Sequence, residues 1–158
     1  MKTLLILMAV TAFVAQGVHA AEGGASATSK SVLIVTQKSK YKKALVPAIA
    51  TLLKERGYES KVVGTDALTD RETAGYAAIV VVVSTQGWKS RKQLPAFLKS
   101  ADARTKGRIV VVTTANKPNW RAGDRGVHAI TTASKISNVA ATVSKVAKGL
   151  DGILSAQK

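Results

Sequence analysis

The chain has 158 residues, 46% hydrophobic and 21% charged, enough for one packed domain and no more. It has no cysteine, which excludes disulfides and thiol chemistry, and its two histidines are too few for a His or Cys metal site. Lys and Arg number 24 against 9 Asp and Glu, a formal charge of +15 that favours an anionic partner: a nucleotide or other anionic small molecule, a nucleic acid, a phospholipid head group, an acidic glycan or an acidic protein surface.

Residues 1–20 read MKTLLILMAVTAFVAQGVHA, with Lys2 in a short basic start, an apolar run from Thr3 to Ala15, and small residues ending Val18-His19-Ala20. This is the pattern of a signal peptide, and the run falls short of the about 20 apolar residues that a membrane anchor needs. Cleavage is expected between Ala20 and Ala21, with no transmembrane segment left and a periplasmic or secreted product. Export makes nucleic acid an unexpected partner. Residues 21–29, AEGGASATS, are Gly/Ala/Ser-rich and read as a flexible linker, so the folded domain is expected over 30–158.

Along that domain three unalternated β-branched runs stand out: Ser31 to Val35, Ala77 to Val83 and Arg108 to Val112. Such runs suit strands buried on both faces, as in a parallel sheet covered by helices. Two weaker runs, Ser60 to Val63 and Val127 to Thr131, bring the expected strands to five. Between the first two, Leu45, Ile49, Leu52 and Leu53 form the stripe of a helix that stops at Gly57. Pro47 would remove a hydrogen bond inside that helix, so its start is expected near Val46, after a longer basic loop. Thr69 and Glu72 have capping-box spacing for a short helix. Pro95 suits the first turn of the next, with Leu94, Phe97, Leu98 and Ala101 on its buried side. The crossover from Thr113 to Gly126 has no apolar stripe and is expected to lack a full helix. The last helix carries Ile136, Val139, Ala140, Val143, Val146, Ala147, Leu150, Ile153 and Leu154 at three-four spacing. Strands alternating with helices imply a doubly wound α/β domain.

The succession SVLIVTQKSKYKKAL, LKERGYESKVV, AGYAAIVVVVSTQGW and LPAFLKSADARTKGRIVVV resembles the flavodoxin family from Val32 to about Thr114. The resemblance implies an α/β three-layer sandwich with a five-stranded parallel sheet of order 2-1-3-4-5. It also implies FMN, held by loops after the first, third and fourth strands, with electron transfer as the activity of the bound flavin. The general rule for open α/β sheets places ligands at that same carboxyl edge. The family's first loop is of the type Thr/Ser-x-Thr-Gly-x-Thr; here Thr36 matches, Ser39 stands at the glycine and Tyr41 at the last threonine, a degenerate phosphate loop. By this resemblance the cofactor-binding candidates are Thr36, Lys38, Ser39, Lys40 and Tyr41 in the first loop. Ser84, Thr85, Gln86, Gly87 and Trp88 follow in the next, and Thr114 and Trp120 in the last.

The residues of these loops add a second signal. Lys38, Lys40, Lys42 and Lys43, then Lys89, Arg91 and Lys92, then Lys117, Arg121 and Arg125 gather at the expected edge against Asp124 alone. Each loop by itself reads as a solvated charged rim; their convergence favours an anion between them. Trp88 and Trp120 sit where a planar ligand could stack, and equally where an indole caps the end of a core. Catalytic alternatives are thin: Ser84 lacks a G-x-S-x-G elbow, His128 reads as a packed or edge histidine, and no two acids pair. Two functions stay open, a binding domain for a planar phosphate-bearing ligand, FMN foremost, and a flavin-free basic module for an acidic protein, glycan or membrane surface.

Overall fold

In the computed structural model, residues 30–85, 88–115 and 126–156 are described. The five expected strands form: β1 (Ser31–Thr36), β2 (Glu59–Val63), β3 (Ala78–Ser84), β4 (Ile109–Ala115) and β5 (His128–Ala133). They pair in parallel in the order β2-β1-β3-β4-β5. Val35 lies opposite Val81 and Val81 opposite Val111, so the β-branched runs stack in register across the centre of the sheet.

Side chains of a strand alternate between faces, and each face has its own helical cover. On one, Ile34, Val80, Val82, Val110 and Val112 pack under α1 (Lys40–Glu55) and α5 (Val139–Ser155) through Leu45, Ile49, Leu53, Val146 and Leu150. On the other, Leu33, Val35, Ile79, Val81 and Val111 pack under α3 (Trp88–Ser100) through Leu94, Phe97 and Leu98. Each fully buried aliphatic side chain contributes about 1.5–3 kcal/mol, which is why the central strands tolerate no polar residue until their carboxyl ends. The edges are wetter: Val62 of β2 is 49% exposed.

Short elements complete the connections, with α2 (Asp70–Thr73) before β3 and α4 (Ala103–Lys106) before β4. Thr69 caps α2 by accepting from Glu72 N, and Asp102 caps α4 by accepting from Thr105 N, bonds that hold the Asp102 carboxyl below its usual range. The strand β4 runs three residues past the expected Val112, since Thr113 and Thr114 are β-branched and the Thr114 hydroxyl is satisfied on the ladder. Thr114 Oγ1 donates to Val83 O at 3.3 Å.

Three expectations about helices need correction. The first helix begins at Lys40, not near Val46, and runs straight through Pro47. Ser39 caps it by accepting from Lys42 N at 3.2 Å, and its first turns bury Tyr41, Lys42 and Leu45. Pro47 faces solvent, so the carbonyl it leaves without a partner, that of Lys43, is on a wet face. The third helix likewise starts at Trp88, which puts Pro95 inside it instead of in its first turn. At the other end, Ile136 lies in a 3-10 turn ahead of α5 and is 52% exposed, off the stripe that buries Val146, Leu150 and Leu154.

The expected stop at Gly57 is met by a Schellman closure. Gly57 takes φ +78, Tyr58 N donates to Leu53 O at 2.9 Å and Gly57 N to Lys54 O at 3.0 Å. Nearby, Arg56 pairs with Asp151 and ties α1 to α5, an exposed ion pair worth about 1 kcal/mol at most. The crossover between β4 and β5 falls largely outside the described residues, as do the leader and linker.

Candidate functional site

At the carboxyl ends of β1, β3 and β4, the polar residues that finish each strand meet. Thr36 Oγ1 donates to Val82 O at 3.4 Å, across the β1–β3 pair. Thr85 N donates to Thr114 O at 3.0 Å, across β3–β4. Thr114 is buried, so its hydroxyl fastens this floor and does not open to solvent. Thr36, Ser84, Thr85 and Thr114 therefore form one contiguous floor, as expected for an open α/β sheet whose ligands bind at this edge.

Above the floor, the connection from β1 to α1 is only Gln37-Lys38-Ser39. Lys38, Ser39 and Lys40 are exposed. Ser39 has an extended φ of −159, and its hydroxyl oxygen is occupied in capping the helix. Lys42 turns inward. Only 3% of it is exposed, and its Nζ donates to Gln37 Oε1 at 3.1 Å. The same Gln37 oxygen receives Ser84 N at 3.4 Å. Burial disfavours the charged ammonium and pushes Lys42 from its ordinary 10.5 to about 8, so it is still mostly charged at pH 7.

Tyr41 goes elsewhere. It is 3% exposed between α1 and α5, and its hydroxyl lies 2.8 Å from Thr142 Oγ1. Thr142 Oγ1 in turn reaches Asn138 O at 2.8 Å and Thr132 Oγ1 at 3.0 Å. This hydroxyl chain borders a cleft of about 250 Å³ between β5 and α5, which Lys145 also lines. His128, on the edge strand β5, lays its ring on α5: a Cβ added at Gly149 would fall 2.6 Å from it.

Of the remaining candidates, Trp88 is the first residue of α3, while Gln86, Gly87 and Trp120 lie outside the described residues, as do Lys117, Arg121, Asp124 and Arg125. Lys42 and Lys43, expected in a loop, belong to α1. Reasoning from sequence passed over the Lys42–Gln37 contact, although a signal for it exists. Lys42, Val46, Ile49 and Leu53 are spaced as one helical stripe once the helix is allowed to start at Lys40. Among the described residues, no group of three His, Cys, Asp or Glu side chains could hold a metal ion, and no helix is long and apolar enough to cross a membrane.

The fold and the position of this site define an open, doubly wound α/β domain with its polar floor at the carboxyl edge. Solved structures that share this arrangement include flavoproteins, and the fold is flavodoxin-like. The two-electron reduced flavodoxin of Megasphaera elsdenii superposes with TM-score 0.54 at 16% identity, over 77% of this chain and 98% of that one. A diflavin flavoprotein of Nostoc sp. gives 0.53 at 14%, over 82% and 96%. Oxidised flavodoxin 2 of Bacillus cereus gives 0.52 at 12%, over 75% and 98%. No family model matches the chain, and no curated protein matches it in sequence.

The first loop does not fit the family's glycine-and-threonine wrap of an FMN phosphate. Ser39 stands at the glycine position with its oxygen accepting from Lys42 N, so that only its hydroxyl proton is left for a ligand; the Tyr41 hydroxyl is held by Thr142, and no non-glycine residue among those described has a positive φ.

Proposed function

We propose that this domain is a binding module that takes a phosphate-bearing ligand at the carboxyl edge of β1 and β3, by charge more than by a hydroxyl wrap. The observation that carries this is Lys42, a cation buried at that edge whose described acceptor is a neutral amide. Lys38 and Lys40 stand exposed beside it, and residues 36–43 contain no acid. Opposed like charges held together at one edge favour an anion.

The ligand's planar part rests on the fold's likeness to flavoproteins, with FMN the foremost candidate; bound flavin would supply electron transfer, and the chain would hold and tune it. The signal-peptide pattern of residues 1–20 supports action outside the cytoplasm, and an intact mass that retains those residues in protein from its native cell would refute export. A second reading, a flavin-free surface for an acidic partner, draws on the exposed Lys38, Lys40 and Lys43.

Titration of FMN into the purified chain, read by flavin and tryptophan fluorescence, separates the two. A planar-ligand site binds FMN more tightly than inorganic phosphate, and Lys40→Glu weakens it in a salt-dependent way. FMN binding no tighter than phosphate, with many lysine substitutions each costing a little, would leave only the basic surface.

A further inference from the structure

Gln37 is the neutral partner of a buried cation at the carboxyl edge of β1 and β3. Buried cations are normally paired with carboxylates, because an uncompensated charge inside a protein is costly. Lys42 has no such partner available from the flanking chain: residues 36–43 and 84–99 contain no Asp or Glu. Its ammonium donates instead to the carboxamide oxygen of Gln37, and the amide of Ser84 donates to that same oxygen. One neutral oxygen, borne on the connection after β1, thus collects a donor from α1 and a donor from the end of β3.

Two donors converging on one oxygen is also how a protein receives an oxygen of an anion. We propose that the Gln37 carboxamide is an internal occupant of the anion site, displaced by an incoming phosphate oxygen that takes over the Lys42 ammonium and the Ser84 N–H. The inference rests on the anion-binding reading above and names the residue that sets its affinity and selectivity. Gln37 is half-buried, so its side chain can leave by rotating about its own torsions with no change in the backbone. The exchange is directional. An ionised acceptor makes a shorter and stronger hydrogen bond to an ammonium than a neutral amide does, so an anion outcompetes Gln37 where a neutral ligand does not. Without ligand, Gln37 keeps the buried ammonium from standing unpaired.

Calorimetric titration of inorganic phosphate into the full chain tests this. Gln37→Met keeps the volume and removes the competing oxygen; it should bind phosphate at least about tenfold more tightly than the native chain, because the two hydrogen bonds that Gln37 Oε1 accepts no longer have to be given up. Gln37→Glu places a permanent carboxylate against Lys42 and should weaken phosphate by about tenfold or more. Lys54→Gln, which removes one charge at the far end of α1, should change affinity less than about twofold. In the native chain, the side-chain amide resonances of Gln37 should shift as phosphate saturates, an observation that needs no variant to fold.

If Gln37→Met binds phosphate no better than the native chain, or the Gln37 resonances stay still during saturation, the internal-occupant role is overturned while the anion site stands. If neither the native chain nor Gln37→Met binds phosphate up to about 10 mM, a level far weaker than specific recognition, both fall together.

Discussion

Replacing Lys42 with methionine should make this protein more stable, and the gain should vanish in alkali. Lys42 is 3% exposed and burial holds it at about 8, against 10.5 for an ordinary lysine. The gap between those values corresponds to about 3 kcal/mol charged to the folded state for keeping an ammonium inside. Methionine fills a similar space with comparable helix propensity and no charge. It forfeits the hydrogen bond to Gln37 Oε1, a loss of about 1 kcal/mol, so the net gain at pH 7 is about 2 kcal/mol. The sign of the pH dependence follows from protons bound. Between about 8 and 10.5 the unfolded chain still holds the Lys42 proton and the folded chain has released it, so native stability rises with pH across that window. The advantage of Lys42→Met is therefore complete below pH 8 and closes by about pH 10.5. Urea unfolding at pH 7, 8.5 and 10.5, in phosphate-free buffer so that no bound anion adds stability, measures it directly. A variant less stable than the native chain at pH 7, or a difference that ignores pH, would refute a buried uncompensated charge. The same substitution should abolish phosphate binding, which would give the cost of burying Lys42 a functional reason.

Pro47→Ala should stabilise the protein by up to about 3 kcal/mol, since Pro47 is exposed inside α1 and alanine restores the backbone N–H that proline lacks; an unchanged urea midpoint would mean that the helix is already relaxed around it. Tyr41→Phe should cost about 1 kcal/mol in the same assay, because Thr142 keeps Asn138 O and Thr132 as neighbours after the phenol is gone. Val81→Asp puts a charge at a position with 0% exposure, between Val35 and Val111, and should cost several kcal/mol and most of the soluble yield. Lys145→Asp, on the exposed side of α5, should shift the melting temperature little, and equal losses from the two would contradict the sheet.

What the amino-acid sequence determined by itself is the sheet and its covering. The runs SVLIV, AAIVVVV and RIVVV are too apolar and too β-branched to be stable anywhere but between two helical layers, and strands alternating with helices then leave few topologies. The carboxyl edge as the place for a site followed from that topology, and Thr36, Ser84, Thr85 and Thr114 do meet there. Other features rest on contacts distant in sequence. Pro47 argues locally against a helix from Lys40, yet burial of Tyr41 and Leu45 against the sheet and α5 outweighs the lost hydrogen bond. Once the helix starts at Lys40, position 42 faces inward, and a lysine counted as one more surface charge becomes a buried cation. Likewise the Tyr41 hydroxyl is committed to Thr142, 101 residues away, and Gln37 to a backbone amide 47 residues away. Hydrophobic periodicity is a property of neighbours in the chain and can be read from it. Which oxygen receives a buried donor depends on groups that only the packed helices and strands bring within 3.5 Å, and that tertiary structure alone decided.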